Sequence, residues 1–225
     1  MTQGRPDDGQ YGARRRALAA AREVLRDQAY GSFSVERVAR LAGLSRRTLY
    51  NQFEDRAELY RIVRLELVVE VETVLPREIN RNLPLREAME QFVREAWLAL
   101  SGEAHLQLRG AVARDGADLP WLSEMYRQRV VLPLEWAIER CLVRQIHDHG
   151  LAIDEPSAHA ERLAAMVMVA VTQPSAFHPH EIVAIFLGRL AAGAAPFEAD
   201  HHRAGFFAAR PDAPRRAPPE FKVSR

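Results

Sequence analysis

Arg46, Arg47, Tyr50 and Asn51 follow one another at steps of one, three and one residues. On a helix turning about 100° per residue these four side chains share one side. Their chemistry is recognition rather than bond making. A guanidinium matches the paired N7 and O6 acceptors of guanine, an asparagine amide matches the edge of adenine, and a tyrosine hydroxyl can meet a phosphate. Groups for catalysis are missing: there is no Gly-rich phosphate loop, no G-x-S-x-G and no nucleophile–base pair. No catalytic residue and no cofactor is therefore expected, and the chain reads as a non-enzyme. Histidines invite a metal reading at His147-Asp148-His149, His178-Pro179-His180, His159 and His201-His202. An i, i+2 pair on a helix splays by about 200°, so His147 and His149 cannot share a face, and no H-E-x-x-H occurs. No metal site is expected. Cys141 is a candidate redox thiol, but a lone cysteine on a helix is usually a small buried apolar residue.

The four recognition residues need a platform. Ser34 is a good N-cap, and Val35, Val38, Leu41 and Ala42 then fall on one face until Gly43. Ser45 caps a second short helix, Arg46 to Gln52, which buries Leu49 and leaves the recognition residues outside. Two short helices joined through Gly43-Leu44-Ser45 make a helix-turn-helix, whose second helix fits a B-DNA major groove. Leu18, Ala21, Leu25 and Ala29 give a preceding helix over 13–30, stopped by Gly31. Asp55 with Glu58 three residues on forms a capping box for a fourth helix running to Pro76.

The run FSVERVARLAGLSRRTLYNQFEDRAEL, Phe33 to Leu59, resembles the DNA-binding domain of the TetR family of bacterial transcriptional regulators. Ser34, Val38-Ala39, Ala42-Gly43-Leu44-Ser45, Thr48-Leu49-Tyr50 and Phe53 stand where the family pattern has its cap, turn and aromatic positions. The resemblance spans roughly residues 13–64. One departure is Arg56, where the family usually carries lysine; the positive charge is kept. The resemblance implies phosphate contacts by Tyr50 and Arg56, with Ser34, Ser45 and Thr48 close by. Arg46, Arg47 and Asn51 are then the base-reading candidates. Arg14, Arg15 and Arg16 read either as an arm along the DNA or as a solvated charge run.

Beyond Pro76 the pattern stays helical. Stripes run over 84–100, 103–114, 121–149 with Pro133 inside, 156–171 and 179–192, which brings the total to about nine helices. The expected fold is all-α: an N-terminal three-helix DNA-binding domain at 13–60 and a larger helical domain at 61–195. A loose arm at 1–12 and a disordered basic tail at 196–225 complete the chain. The family resemblance implies that the larger domain binds a small-molecule effector and dimerises, and Arg109 to Tyr126 resembles the ligand-binding region of AcrR-like members. Phe92, Trp97, Arg109, Met125, Tyr126, Trp136 and Met166, with Met89, suit a pocket for an apolar or amphipathic ligand, or else ordinary core. Leu163, Met166, Val167, Ala170, Ile182, Ile185, Phe186, Arg189 and Leu190 offer two late helices for pairing with a second copy, or for intrachain packing.

Charge agrees with this division of labour. The 225 residues carry a net +1, yet residues 11–53 hold nine arginines against Glu23, Asp27 and Glu36, while residues 54–200 are net −8. A basic head on an acidic body points to a polyanion at the head alone. One cysteine excludes a disulfide framework. The longest apolar run, Leu163 to Val171, is too short to cross a bilayer, and the N-terminal stretch lacks the apolar core of a secretory signal, so a cytoplasmic protein is expected. The whole reads as a homodimeric regulator bound to a palindromic operator and released by its effector. The alternative is a helical small-molecule-binding protein or enzyme whose helix-turn-helix is degenerate.

Overall fold

A computed structural model describes residues 6–173 and 177–191. The order is α1 (Pro6–Leu25), α2 (Val35–Ala42), α3 (Arg46–Tyr50), α4 (Arg56–Val74), α5 (Leu85–Leu100), α6 (Glu103–Asp115), α7 (Pro120–Tyr126), α8 (Leu132–His149), α9 (Pro156–Ala170) and α10 (Pro179–Ala191). Among the described residues the fold is all helical, as expected.

The differences from expectation are local. Helix α1 starts at Pro6, inside the stretch read as a loose arm, because proline already has helical φ and needs no donor in a first turn. It stops at Leu25, and a 3-10 turn at Tyr30–Ser32 occupies the end of the span expected to be helix. The 121–149 stripe is two helices joined by a π turn at Arg127–Val131. Pro133 has no N–H for Arg129, and its ring would strike that carbonyl; the wider turn just before it removes the conflict. The total is therefore ten α-helices among the described residues, one more than expected. The expected tail at 196–225 and residues 1–5 of the expected arm lie outside the described residues.

Helices α1, α2 and α3 pack on one another, α1 also packs on α4, and α4 continues onto α5 and α6. Helix α9 packs on α8 and α5, and α10 on α5 and α9. The apolar core runs without a break from Ala17 in α1 to Phe186 in α10. Head and body thus share α4 as a common buried strut: Leu59, Val63, Leu67 and Val71 are buried along it.

Candidate nucleic-acid interface

The recognition platform is built from local rules. Ser34 Oγ accepts the Arg37 N–H at 3.2 Å and starts α2. Gly43 ends α2 with φ 63°, a left-handed conformation that costs other residues about 1–2 kcal/mol. Ser45 Oγ accepts the Thr48 N–H at 3.0 Å and starts α3, and its hydroxyl also bonds Thr48 Oγ1 at 2.8 Å. Val38, Ala39, Ala42, Leu49 and Phe53 are all buried beneath, so α3 is held by apolar contact on its inner side only.

On the outer side Arg46, Arg47 and Asn51 are exposed and Tyr50 is 42% exposed. Arg46 Nη1 lies 3.0 Å from Glu36 Oε1 on α2. Arg56, the other expected phosphate contact, packs against the head. Its guanidinium sits 4.4 Å from the Tyr30 ring centroid, and Nη1 donates to the Phe33 carbonyl at 3.4 Å. Arg14, from the arginine run in α1, donates to the Gln52 carbonyl at 2.7 Å and covers the Phe53 ring at 4.7 Å. It braces the end of α3, while Arg15 and Arg16 stay exposed.

Behind Tyr30 lies a buried polar cluster that sequence reasoning missed. Asp115, at the end of α6, accepts the Tyr30 N–H at 2.9 Å and the Tyr60 hydroxyl at 2.6 Å. Arg64 is 0% exposed, donates to the Leu25 carbonyl at 3.2 Å and stacks 4.7 Å from Tyr60. Burial pushes the Tyr60 hydroxyl up to about 12. Tyr60 also meets Trp121 of α7 edge-on, with ring centroids 6.2 Å apart. An arginine on the apolar stripe of α4 was the available signal, since a buried charge must find partners.

Of the effector candidates, Phe92 lines a cleft of about 320 Å³ with Glu78, Ile79, Asn80 and Gln91; the other six do not line it. Tyr126 is buried, whereas Trp97, Met125, Trp136 and Met166 are half-buried. Tyr126 and Arg109 do share a neighbour, the fully buried His105. Its Nδ1 donates to the Leu100 carbonyl at 2.6 Å, so neutral Nε2 accepts the Tyr126 hydroxyl at 2.8 Å. Burial holds the His105 pKa down to about 4. Arg109 Nε is buried without a hydrogen-bond partner.

Of the late-helix residues, Leu163, Val167, Ala170, Ile182 and Phe186 are buried within the chain, as core. Ile185 at 46% and Val169 at 51% exposure remain on the surface. Cys141 is buried, and burial pushes its thiol pKa up. Among the described residues, no three His, Cys, Asp or Glu side chains could hold a metal ion, and no helix is long and apolar enough to cross a membrane.

Residues 17–63 match the family described as "Bacterial regulatory proteins, tetR family". No curated protein matches the chain. Solved structures do. The flavonoid-responsive regulator FrrA shares 16% identity over 82% of this chain and 98% of its own, with a TM-score of 0.63. Salmonella enterica GusR shares 19% over 80% and 95%, with a TM-score of 0.58. A TetR-family transcriptional regulator from Mesorhizobium loti shares 20% over 81% and 95%, with a TM-score of 0.57.

Proposed function

We propose that this chain, whose residues 17–63 match the TetR family of bacterial regulatory proteins, is a homodimeric DNA-binding repressor released from a palindromic operator by a small apolar or amphipathic effector. The observation that carries the reading is the outer face of α3. Arg46, Arg47, Tyr50 and Asn51 stand clear of a platform whose inner side is fully buried. Arg46, Arg47 and Asn51 read bases, Tyr50 meets phosphate, and Ser34, Ser45 and Thr48 chiefly hold the helix starts. Arg56 contributes positive charge at the first turn of α4, where free backbone N–H groups also attract phosphate.

The apolar surface at Val169 and Ile185 supports pairing of the last two helices with a second copy. In the body, Arg109 with its unpartnered Nε, next to the neutral His105–Tyr126 pair, favours an effector carrying an acceptor or an anionic group. FrrA, on a similar fold, is flavonoid-responsive by its description. Coupling runs through α6 and α4. An effector that shifts α6 moves Asp115, which holds the Tyr30 N–H directly below Arg56. A coupling of about 1–3 kcal/mol is enough for induction.

The test is a gel-shift with the duplex lying upstream of the protein's own gene. A discrete complex that survives excess unrelated duplex supports the reading. Absence of any complex with upstream or unrelated duplex at low salt rejects it and favours a helical ligand-binding protein with a degenerate head.

A further inference from the structure

Glu36 is an anomaly on the head. Residues 11–53 hold only three acids, and Glu36 is the one that an ion pair joins to the recognition helix. Its two carboxylate oxygens are both engaged. Oε2 accepts the Ser34 hydroxyl at 3.1 Å, and Oε1 lies 3.0 Å from Arg46 Nη1. Hydrogen bonds from its own backbone amide and from Ser34, with Arg46 beside it, hold the carboxyl below its ordinary range, so it is ionised at neutral pH. A carboxylate beside a DNA-reading helix repels phosphate and weakens sequence-independent binding. Fold stability does not account for it, because exposed ion pairs contribute little.

We propose that Glu36 is a specificity-determining residue of the DNA interface: by pairing with Nη1 it orients the Arg46 guanidinium so that the Nε/Nη2 edge is left for a guanine. That edge has no other protein partner among the described residues. Two parallel N–H donors are what the O6 and N7 acceptors of guanine require. A free arginine is an adaptable point of attraction for any phosphate. One paired at Nη1 is biased before binding toward one bidentate partner. Ser34, the α2 cap, orients the carboxylate by donating its hydroxyl to Glu36 Oε2 from two residues away. Glu36 thereby trades general affinity for discrimination.

The inference rests on α3 reading DNA. Its test uses the full-length protein, a pool of random-sequence duplexes and the variants Glu36→Gln, Arg46→Ala and the double substitution. Sequencing after enrichment defines the preferred duplex. Fluorescence anisotropy then compares it with single-base variants and with an unrelated duplex of equal length. Glu36→Gln is expected to bind the unrelated duplex more tightly. It should lose about fivefold or more of the preference at the guanine position that Arg46→Ala also flattens. With Ala at position 46, Glu36→Gln should change base preference no further. Unchanged preference in Glu36→Gln overturns the inference while leaving DNA binding intact, as does an equal loss on the Arg46→Ala background. A uniform weakening on all duplexes with a lowered melting temperature also overturns it, by showing a merely structural role. Failure of the unsubstituted protein to bind any duplex overturns the inference and the DNA-binding reading together.

Discussion

Arg46 stands in solvent against one carboxylate, whereas Arg56 is stacked on Tyr30 and tied to the Phe33 carbonyl. The two cations therefore have different interactions to lose. Arg46→Ala should relax base preference by about 1–3 kcal/mol. Arg56→Ala should weaken enriched and unrelated duplexes alike, and should also lower the melting temperature, because the Tyr30 ring loses its cation. Binding isotherms on both duplexes check this, and equal losses from both variants on every sequence would refute it. Two titratable groups, the half-buried Glu135 and the buried His105, give opposing pH signatures. Burial, with Glu161 nearby, raises Glu135 to about 7, so the native state holds more protons than the unfolded chain between pH 4.5 and 7. That contribution to stability is present at low pH and is lost as pH rises through this window. His105, held at about 4, acts with the opposite sign: its contribution is lost as pH falls from 6.5 toward 4. Glu135→Gln should thus gain melting temperature relative to the parent at pH 8 and not at pH 4.5. A difference independent of pH would contradict the assignment. The caps Ser34, Ser45 and Asp55 were legible in the sequence because each bonds a backbone N–H three residues away. Asp115, Arg64 and His105 were not, since their partners lie far along the chain or depend on burial that spacing alone does not reveal.

Helix periodicity located most elements because each apolar stripe faces one continuous core. Where the reading slipped, at the start of α1 and at the π turn before Pro133, no change of periodicity marks the boundary. Two glycines separate what is local from what is tertiary. Gly43 has positive φ and open space where a Cβ would stand, so Gly43→Ala should cost only the backbone strain of about 1–2 kcal/mol. Gly116 has ordinary helical φ, but a Cβ there would run into Ser123 Oγ and the Val112 carbonyl oxygen. Gly116→Ala should therefore destabilise by overpacking, by about 1–3 kcal/mol. It should also disturb the adjacent Asp115, and with it the Tyr30 and Tyr60 hydrogen bonds. Hydrogen exchange distinguishes the cases: Gly43→Ala should loosen α2 and α3, whereas Gly116→Ala should raise exchange at the Tyr30 amide and in α6. Unchanged Tyr30 exchange in Gly116→Ala would contradict the proposed coupling of head and body.

Across the whole molecule a basic head, residues 11–53, and an acidic helical body share one core. Charge asymmetry was visible in the sequence because it needs no coordinates. Which of the nine residues offered for pairing are left for a second copy was not, since five are intrachain core and only burial separates them. Ile185→Glu should convert a dimer to a monomer in light scattering and weaken binding to a two-fold duplex far more than to an unrelated one, because the second half-site is no longer held at a fixed distance. A dimer that survives both Ile185→Glu and Val169→Glu would place the interface elsewhere. The central claim is that α3 reads duplex DNA in symmetric pairs, and sequencing of random duplexes retained by the purified full-length protein tests it most directly. The expected result is an inverted repeat whose half-site centres are about 34–36 Å apart or a multiple of that repeat. Retention of duplexes with no enriched sequence, or with a single unrepeated site, would contradict the account.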